Sequence, residues 1–292
     1  MKSLKLKGID KFREKLPKFS GKKIIILPIY FILVLIFSLI IQIYFDVLPS
    51  VILVNGTLGY FTIIFPVLGV IIMGSMGLLL VYQMWYNRDR LKTKYGQLSY
   101  QKIFFVGFGG VAIIFSIVIN NLIAFYHWDL NFWSQFPFSI FITPLTSYFT
   151  PISSFLGYIR LLFGVLFFIL GIITLIRALE TFGFDYMAVI YLYFPEESDL
   201  QDHKIYSILR HPAYSGIILL CLSGTIIQLT LYSIIFFLIL LFGMYIHIYF
   251  VEEKELINRF GDSYIDYRRK VPAFFVHISD WGLFLKFILR RE

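Results

Sequence analysis

The apolar residues of this chain are gathered in long continuous runs rather than in the short alternating patterns of a soluble protein. Five runs occur, at 24–45, about 58–84, about 103–126, 155–178 and 213–251. A helix needs about 20 apolar residues to cross ~30 Å of hydrocarbon, so each of the first four runs predicts one transmembrane helix. The fifth run is long enough for two, with a turn near Gln228, Thr230 and Tyr232. We therefore predict an all-α, polytopic membrane helix bundle of about six transmembrane helices.

The polar segments between these runs are alternately basic and without Lys or Arg. Residues 1–23 hold nine Lys or Arg residues, and the loop after the second run holds Arg88, Arg90, Lys92, Lys94 and Lys102. The loop after the first run contains Asp46 and no Lys or Arg, and the segment 127–154 also has none. Basic loops stay on the cytoplasmic side, so six helices with both termini in the cytoplasm satisfy every loop.

The composition agrees with a membrane protein. The chain is 59% hydrophobic and 15% charged, whereas soluble domains are about 25% charged. Its net charge of +8 is better explained by basic loops that face anionic lipid than by nucleic acid. Cys221 is the single cysteine, so no internal disulfide and no cysteine cluster can form, and we expect no metal.

Two further segments are expected at the membrane surface. Residues 137–150 are apolar enough to re-enter the membrane or to lie on its outer surface. The tail 277–292 has apolar residues at helical spacing beside several cations, which is typical of an interfacial helix. The apolar residues of this tail are Trp281, Phe284, Leu285, Ile288 and Leu289.

Candidate chemistry is densest where predicted helices four, five and six meet the cytoplasm. Helix four ends with Arg177 and Glu180, and helix five opens with Tyr206, Arg210, His211, Pro212 and Tyr214. Proline suits the first turn of a helix and pushes the preceding residue, His211, towards an extended backbone. The free N–H groups of that turn favour an anion, and the planar guanidinium of Arg210 matches a carboxylate or phosphate.

Helix six ends at Glu252 and Glu253, across a predicted hairpin from the Arg-His-Pro segment. Gly216 permits the close approach of a ligand or of another helix. Inside the spans, Arg160 is expected to extend its charge to the outer interface, and His247 lies near the cytoplasmic end. These groups predict a cytoplasm-facing pocket for a ligand of mixed charge with a flat part.

The segments "YSILRHPAYSGIILLCLSG" and "VEEKELINRFGDSYIDYRRKVPAFF", preceded by "RALETFGFDY", resemble the isoprenylcysteine carboxyl methyltransferase family and its phospholipid N-methyltransferase relatives. The resemblance covers about 175–275. It implies an integral-membrane enzyme that uses S-adenosylmethionine as a cofactor and methylates a lipidic or prenylated acceptor. It also implies that cofactor-binding residues are Tyr206, Arg210, His211, Pro212, Tyr214, Gly216, Glu252 and Glu253, and that catalytic residues are Arg210, Glu253 and His247.

The resemblance divides the chain into four regions. These are a basic cytoplasmic segment 1–23, a transmembrane region 24–154 without a recognised role, a methyltransferase-like core 155–276 and the interfacial tail 277–292. The acceptor group is left open as a carboxylate, an amine or a hydroxyl. The prenylcysteine enzymes of eukaryotes have arginines shortly before the Glu pair, whereas residues 240–251 contain none, which counts against a prenylcysteine carboxylate.

Two other functions fit the hydrophobic pattern. One is a membrane reductase of the sterol reductase type, for which the cofactor would be NADPH and a stronger phosphate site than Arg210 alone is expected. The other is a transporter or non-catalytic scaffold, which should have paired intramembrane charges or helices broken at mid-depth.

Overall fold

The computed structural model describes residues 9–19, 21–52, 64–123, 141–183, 193–194 and 197–289, and all the regular structure in them is helical. The helices are α1 (Ile9–Glu14), α2 (Ile26–Ile52), α3 (Ile64–Tyr86), α4 (Arg88–Tyr95), α5 (Ser99–Ile123), α6 (Ser153–Phe182), α7 (Pro212–Gln228), α8 (Leu231–His247), α9 (Glu253–Phe260), α10 (Asp262–Lys270) and α11 (Trp281–Leu289). The predicted all-α class is confirmed for this part of the chain.

Five of the described segments are long and apolar enough to cross a membrane. They are Gly21–Val47, Ile64–Tyr86, Arg88–Ile123, Ser153–Phe182 and Leu231–Phe260. The predicted fifth span is instead the shorter apolar helix α7, which has 17 residues. A helix of that length rises about 25 Å, somewhat less than the ~30 Å of a hydrocarbon core. The chain is thus a multi-pass membrane protein, with five helices of full spanning length among the described residues.

The first span is longer than its apolar run suggested. We expected Asp46 in the loop after the run, but α2 continues to Ile52 and the Asp46 side chain is buried. The expectation was wrong because a single carboxylic acid does not end a helix when a neighbouring helix covers it. The segment 137–150 is described only from residue 141, where it lies against the α7–α8 turn through a bond from Leu145 N–H to the Leu229 carbonyl (2.9 Å).

Glycines set the close packing of the central helices. A Cβ atom added at Gly216 of α7 would lie 2.6 Å from Leu175 Cγ of α6, and one added at Gly171 of α6 would lie 3.0 Å from the Gly216 carbonyl oxygen. We expected Gly216 to serve either a ligand or a helix, and it faces α6. Helix packing alone accounts for this glycine, and its place among the cofactor-binding residues stays a prediction.

Gly224 gives a testable measure of this packing. A Cβ atom there would lie 2.8 Å from the main-chain oxygen of Asn121 in α5, which cannot move aside as a side chain can. We expect Gly224→Ala to lower the free energy of unfolding by about 1–3 kcal/mol through overpacking. Thermal unfolding in detergent measures it. The control is Gly157→Ala in α6, where an added Cβ meets nothing within 4 Å; equal losses in both variants would contradict the packing argument.

Helix α8 does not end as a regular α-helix. Residues Ile248–Glu252 form a π-helical turn that leads directly into α9, and Gly261 then breaks the chain with φ +55° before α10. A π turn has hydrogen bonds between residues five apart instead of four, so residues five apart come closer to one face. This brings His247 and Glu252 towards the same side, where α7 begins.

Candidate functional site

The site is built around Arg210 and His211, the two residues that directly precede α7. Pro212 opens the helix, and His211 is non-helical as expected, although its angles φ −123° and ψ 62° are not fully extended. The chain at this point pairs with the segment after α10, because Arg210 N–H donates to the Pro272 carbonyl (2.9 Å) and His211 N–H to the Ala273 carbonyl (3.1 Å). Two segments separated by some sixty residues are thereby fixed side by side.

Glu253 is the centre of the charged contacts at this junction. Its Oε1 accepts from Arg210 Nη2 at 2.5 Å and from Arg210 Nε at 3.1 Å, and its Oε2 lies 3.2 Å from Arg268 Nε. Arg210 Nη1 donates to the main-chain oxygens of Arg268 (2.8 Å) and Val271. The Arg210 guanidinium therefore donates four hydrogen bonds within the protein. The guanidinium joins α7, α9 and α10 before any ligand is considered.

His211 lies between the two carboxylates. Its Nδ1 is 3.4 Å from Glu252 Oε1, and its Nε2 is 3.4 Å from Glu253 Oε1. Burial alone lowers the pKa of His211, but the two glutamates outweigh it, and the net pKa is raised above its ordinary value of 6.5. The imidazolium form is thus favoured in the folded protein.

This raised pKa predicts a pH dependence of stability. A His whose folded pKa is higher than its unfolded pKa stabilises the fold fully below the unfolded value, and this contribution is lost as the pH rises through the folded value. We expect the melting temperature to fall from about pH 6.5 upward, and to fall less steeply in His211→Gln. Thermal melts at several pH values measure both slopes. Parallel slopes for the two proteins would remove His211 as the cause.

A cavity of about 400 Å³ opens beside these charges. Of the residues expected at the site, Tyr206, Arg210, His211, Pro212, Tyr214, His247 and Glu252 line it. Glu253 contacts Arg210 and His211 but is not among the lining residues. Three buried polar atoms of its lining residues, His211 Nε2, His247 Nε2 and Glu252 Oε2, have no hydrogen-bond partner in the described part of the chain.

Aromatic rings surround the polar end of the cavity. Tyr206 stacks on Phe182 with ring centroids 5.1 Å apart, and the Tyr267 hydroxyl donates to the Tyr206 carbonyl at 2.5 Å. Burial raises the pKa of Tyr206, Tyr264 and Tyr267, so these phenols stay protonated. Flat rings of this kind can stack on a flat ligand.

The N-terminal helices supply much of the apolar wall, although no motif in 24–154 assigned them a role. These lining residues are Phe31, Leu78, Val81, Trp85, Val111, Ile114 and Phe115. The Trp85 ring lies edge-to-face with His247 at 5.3 Å. Arg88 of α4 also bonds Glu255 of α9 at 2.8 Å, so the basic loop after α3 lies at the same end of the bundle as the site.

Within the described residues, no group of three or more His, Cys, Asp or Glu side chains is placed to hold a metal ion. Arg210 is the one Lys or Arg among the described residues that line the cavity. The cavity can therefore offer a carboxylate, an imidazole and aromatic faces to a ligand. The guanidinium of Arg210 is mostly bonded within the protein.

The segment that contains this site is similar to a known protein family. Residues 159–263 match the phospholipid methyltransferase family. The matched segment begins within α6, runs through α9 and contains every residue that we expected to bind the cofactor. A second similarity is to protein-S-isoprenylcysteine O-methyltransferase of Schizosaccharomyces pombe, with 35% identity over 69 residues. No solved structure matches the chain at a significant level.

Both similarities are partial. The yeast alignment covers 24% of this chain and 29% of that protein, and the family match begins after α5. They confirm the resemblance that the motifs indicated for the C-terminal part of the chain. They say nothing of α2, α3 and α5, whose side chains nevertheless form the apolar wall of the cavity.

Proposed function

We propose that this protein is an integral-membrane methyltransferase that moves a methyl group from S-adenosylmethionine to a lipidic acceptor. The observation that carries the proposal is the meeting of the two motif segments: His211 lies 3.4 Å from Glu252, and Arg210 lies 2.5 Å from Glu253, at the polar end of a cavity. The family match of this segment supports it.

The residues present fit S-adenosylmethionine. Its ammonium or ribose hydroxyls need an acceptor, and Glu252 Oε2 is buried at the cavity with no partner among the described residues. Its adenine needs flat neighbours, which Tyr206, Tyr214 and Tyr267 provide. Its carboxylate needs donors, for which the first turn of α7 and the remaining N–H of Arg210 are available. The cavity of about 400 Å³ lies in the size range of small-molecule sites.

S-adenosylmethionine supplies an electrophilic methyl group, and the C–S electron pair returns to sulfur when the acceptor takes that methyl. The chain contributes alignment and exclusion of water, which are large effects for an in-line transfer. We assign Glu253 and Arg210 to holding the cofactor pocket in shape. We assign His247 to accepting, at Nε2, the proton that an amine or hydroxyl acceptor loses.

The acceptor side of the cavity favours such a neutral or cationic group over a carboxylate. Glu252 places a carboxyl group there, and Arg210, the one Lys or Arg among the described lining residues, is already bonded to Glu253 and to main-chain oxygens. A carboxylate acceptor would be desolvated there without a free cation, which is unfavourable. A chain-bearing acceptor has room, because a second cavity of about 390 Å³ shares Leu78, Ile114 and Met244 with the first.

The site is proposed to face the cytoplasm. Lys15 of the N-terminal segment bonds Glu197 at 2.6 Å, and Arg177 bonds the Ile288 carbonyl of α11 at 3.2 Å. Both terminal segments and the basic loop at Arg88 therefore lie at the site end of the bundle, which is the cytoplasmic end by the positive-inside rule. On this basis we also propose 155–276 as the methyltransferase core and 24–154 as the acceptor-side wall.

The proposal is tested with purified protein in detergent and with membranes that contain it. Calorimetry should detect binding of S-adenosylmethionine and none of NADPH, and labelled cofactor should transfer its methyl group to the lipid fraction. Analysis of the labelled lipid identifies the acceptor. Binding of NADPH alone would favour the reductase instead, and binding of neither would remove the cofactor assignment.

A further inference from the structure

Gln201 is a polar residue of the cavity that the sequence motifs did not single out. It lies in the segment between α6 and α7, and it is the one Asn or Gln among the described residues that line the cavity. The residue is half-buried, and its side-chain amide has no hydrogen-bond partner among the described residues. Small-molecule sites are oriented by a few polar groups of this kind, so the amide is available to a ligand.

The chain just before Gln201 is held by the N-terminal segment, by α9 and by α10. Lys15 Nζ donates to Glu197 Oε1 at 2.6 Å, and Arg259 Nη1 donates to Ser198 Oγ at 3.0 Å. Leu200 packs against the apolar cluster formed by Leu256, Tyr264, Tyr267 and Val271. Leu200, Tyr264 and Tyr267 line the same cavity as Gln201. Tertiary contacts therefore fix the position of Gln201 beside the part of the cavity that these tyrosines line.

A glutamine amide has a hydrogen-bond donor and an acceptor on two neighbouring atoms. An ionised carboxylate only accepts and a guanidinium only donates, so Glu252 and Arg210 do not offer this pair. Adenine presents the complementary pair, because its 6-amino group donates beside a ring nitrogen that accepts. Glutamine side chains pair with adenine in this way through two hydrogen bonds. Among the described lining residues, Gln201 is thus the side chain whose chemistry matches an adenine edge.

We propose that Gln201 recognises the adenine ring of the cofactor. Its amide oxygen accepts from the 6-amino group, and its amide N–H donates to a ring nitrogen, while the neighbouring tyrosine rings pack on the base. This inference rests on the proposed function, because it assumes that the cavity binds S-adenosylmethionine. Gln201 is then a specificity-determining residue. A ligand without the 6-amino group is rejected because it leaves the amide oxygen unpartnered.

The test compares two ligands by calorimetry on the full chain in detergent. One is S-adenosylhomocysteine, and the other is its analogue in which hydrogen replaces the 6-amino group of the base. We expect the wild-type protein to bind the first about tenfold or more tightly than the second. Gln201→Leu removes the amide at similar volume. It should weaken binding of S-adenosylhomocysteine and leave the analogue nearly unaffected, so that the two ligands bind the variant equally.

Gln97→Leu is the matched control, because the Gln97 amide accepts from Lys15 at 3.1 Å and the residue does not line the cavity. It should keep the full preference for the 6-amino group. If Gln201→Leu does not fold, Gln201→Ser removes the same amide and should also lose the preference. A wild-type protein that binds both ligands equally, or a preference that persists in the folded Gln201 variant, overturns this role alone. Binding of neither ligand by the wild-type protein overturns the proposed function as well.

Discussion

Replacement of Glu253 by alanine is expected to have the largest effect on the fold of the site. The change leaves the buried His211 and the largely covered Arg210 side chain without the carboxylate that they contact, and Arg268 loses the same partner. Removal of one partner from a buried ion pair lowers stability by about 3–5 kcal/mol, because the remaining charge stays desolvated. Chemical denaturation in mixed micelles measures this loss, and calorimetry should find that binding of S-adenosylmethionine is abolished.

Glu180→Ala is the matched control for this prediction. Glu180 also pairs with an arginine, Arg177, at 2.8 Å, but its side chain is 53% exposed. Exposed pairs contribute about 0–1 kcal/mol, so both stability and cofactor binding should be nearly unchanged. Should Glu253→Ala fail to fold, Glu253→Gln retains the volume and is expected to fold with weakened binding. Wild-type affinity in a folded Glu253 variant would refute its part in the site.

The sequence could predict that the charged segments of the site meet, but not how their charges pair. The spacing of Arg210-His211-Pro212 and Glu252-Glu253 around a hairpin predicted that they would meet, since a helical hairpin returns the chain to its starting end. The structure brings His211 and Glu252 to 3.4 Å. What the spacing could not tell is which partner each charge takes. Arg210 was expected to be free for a ligand anion, yet it mainly bonds Glu253 and main-chain oxygens.

For the fold, too, some features could be predicted from the sequence and others could not. Hydrophobic runs predicted where most spans lie because lipid imposes a minimum apolar length. They could not place Asp46 inside α2, since a polar residue covered by a partner helix has the same local sequence as one in a loop. The π turn at Ile248–Glu252 could not be predicted from the sequence either, because such a turn is selected by tertiary packing and not by local propensity.

Tertiary contact also explains the role that the sequence could not give to the N-terminal region. Trp85 follows an apolar run and precedes a basic loop, which is a common place for a membrane-interface tryptophan. In the folded chain its ring instead packs against His247 and lines the cavity. We therefore expect the identity of the acceptor to depend on α3 and α5 as well as on the matched segment.

Replacement of His247 by glutamine is expected to have the largest effect on the reaction while leaving the cofactor pocket intact. His247 lines the cavity beside Glu252, and its Nε2 lacks a partner in the described part of the chain. Loss of a general base lowers the rate by about 10²–10⁴-fold. We expect a fall of that size in methyl transfer from labelled cofactor, with an unchanged Kd for S-adenosylmethionine by calorimetry.

The pH profile separates this role from a structural one. If His247 accepts the acceptor's proton, the wild-type rate should rise with pH as the imidazole becomes neutral, and this rise should be absent in His247→Gln. His203→Gln is the control, because His203 is an exposed histidine shortly before α7. A uniform loss of rate at every pH, with the rise retained, would assign His247 to packing against Trp85. A carboxylate acceptor carries no proton to remove, so the same profile tests the acceptor chemistry that the charges around Glu252 favour.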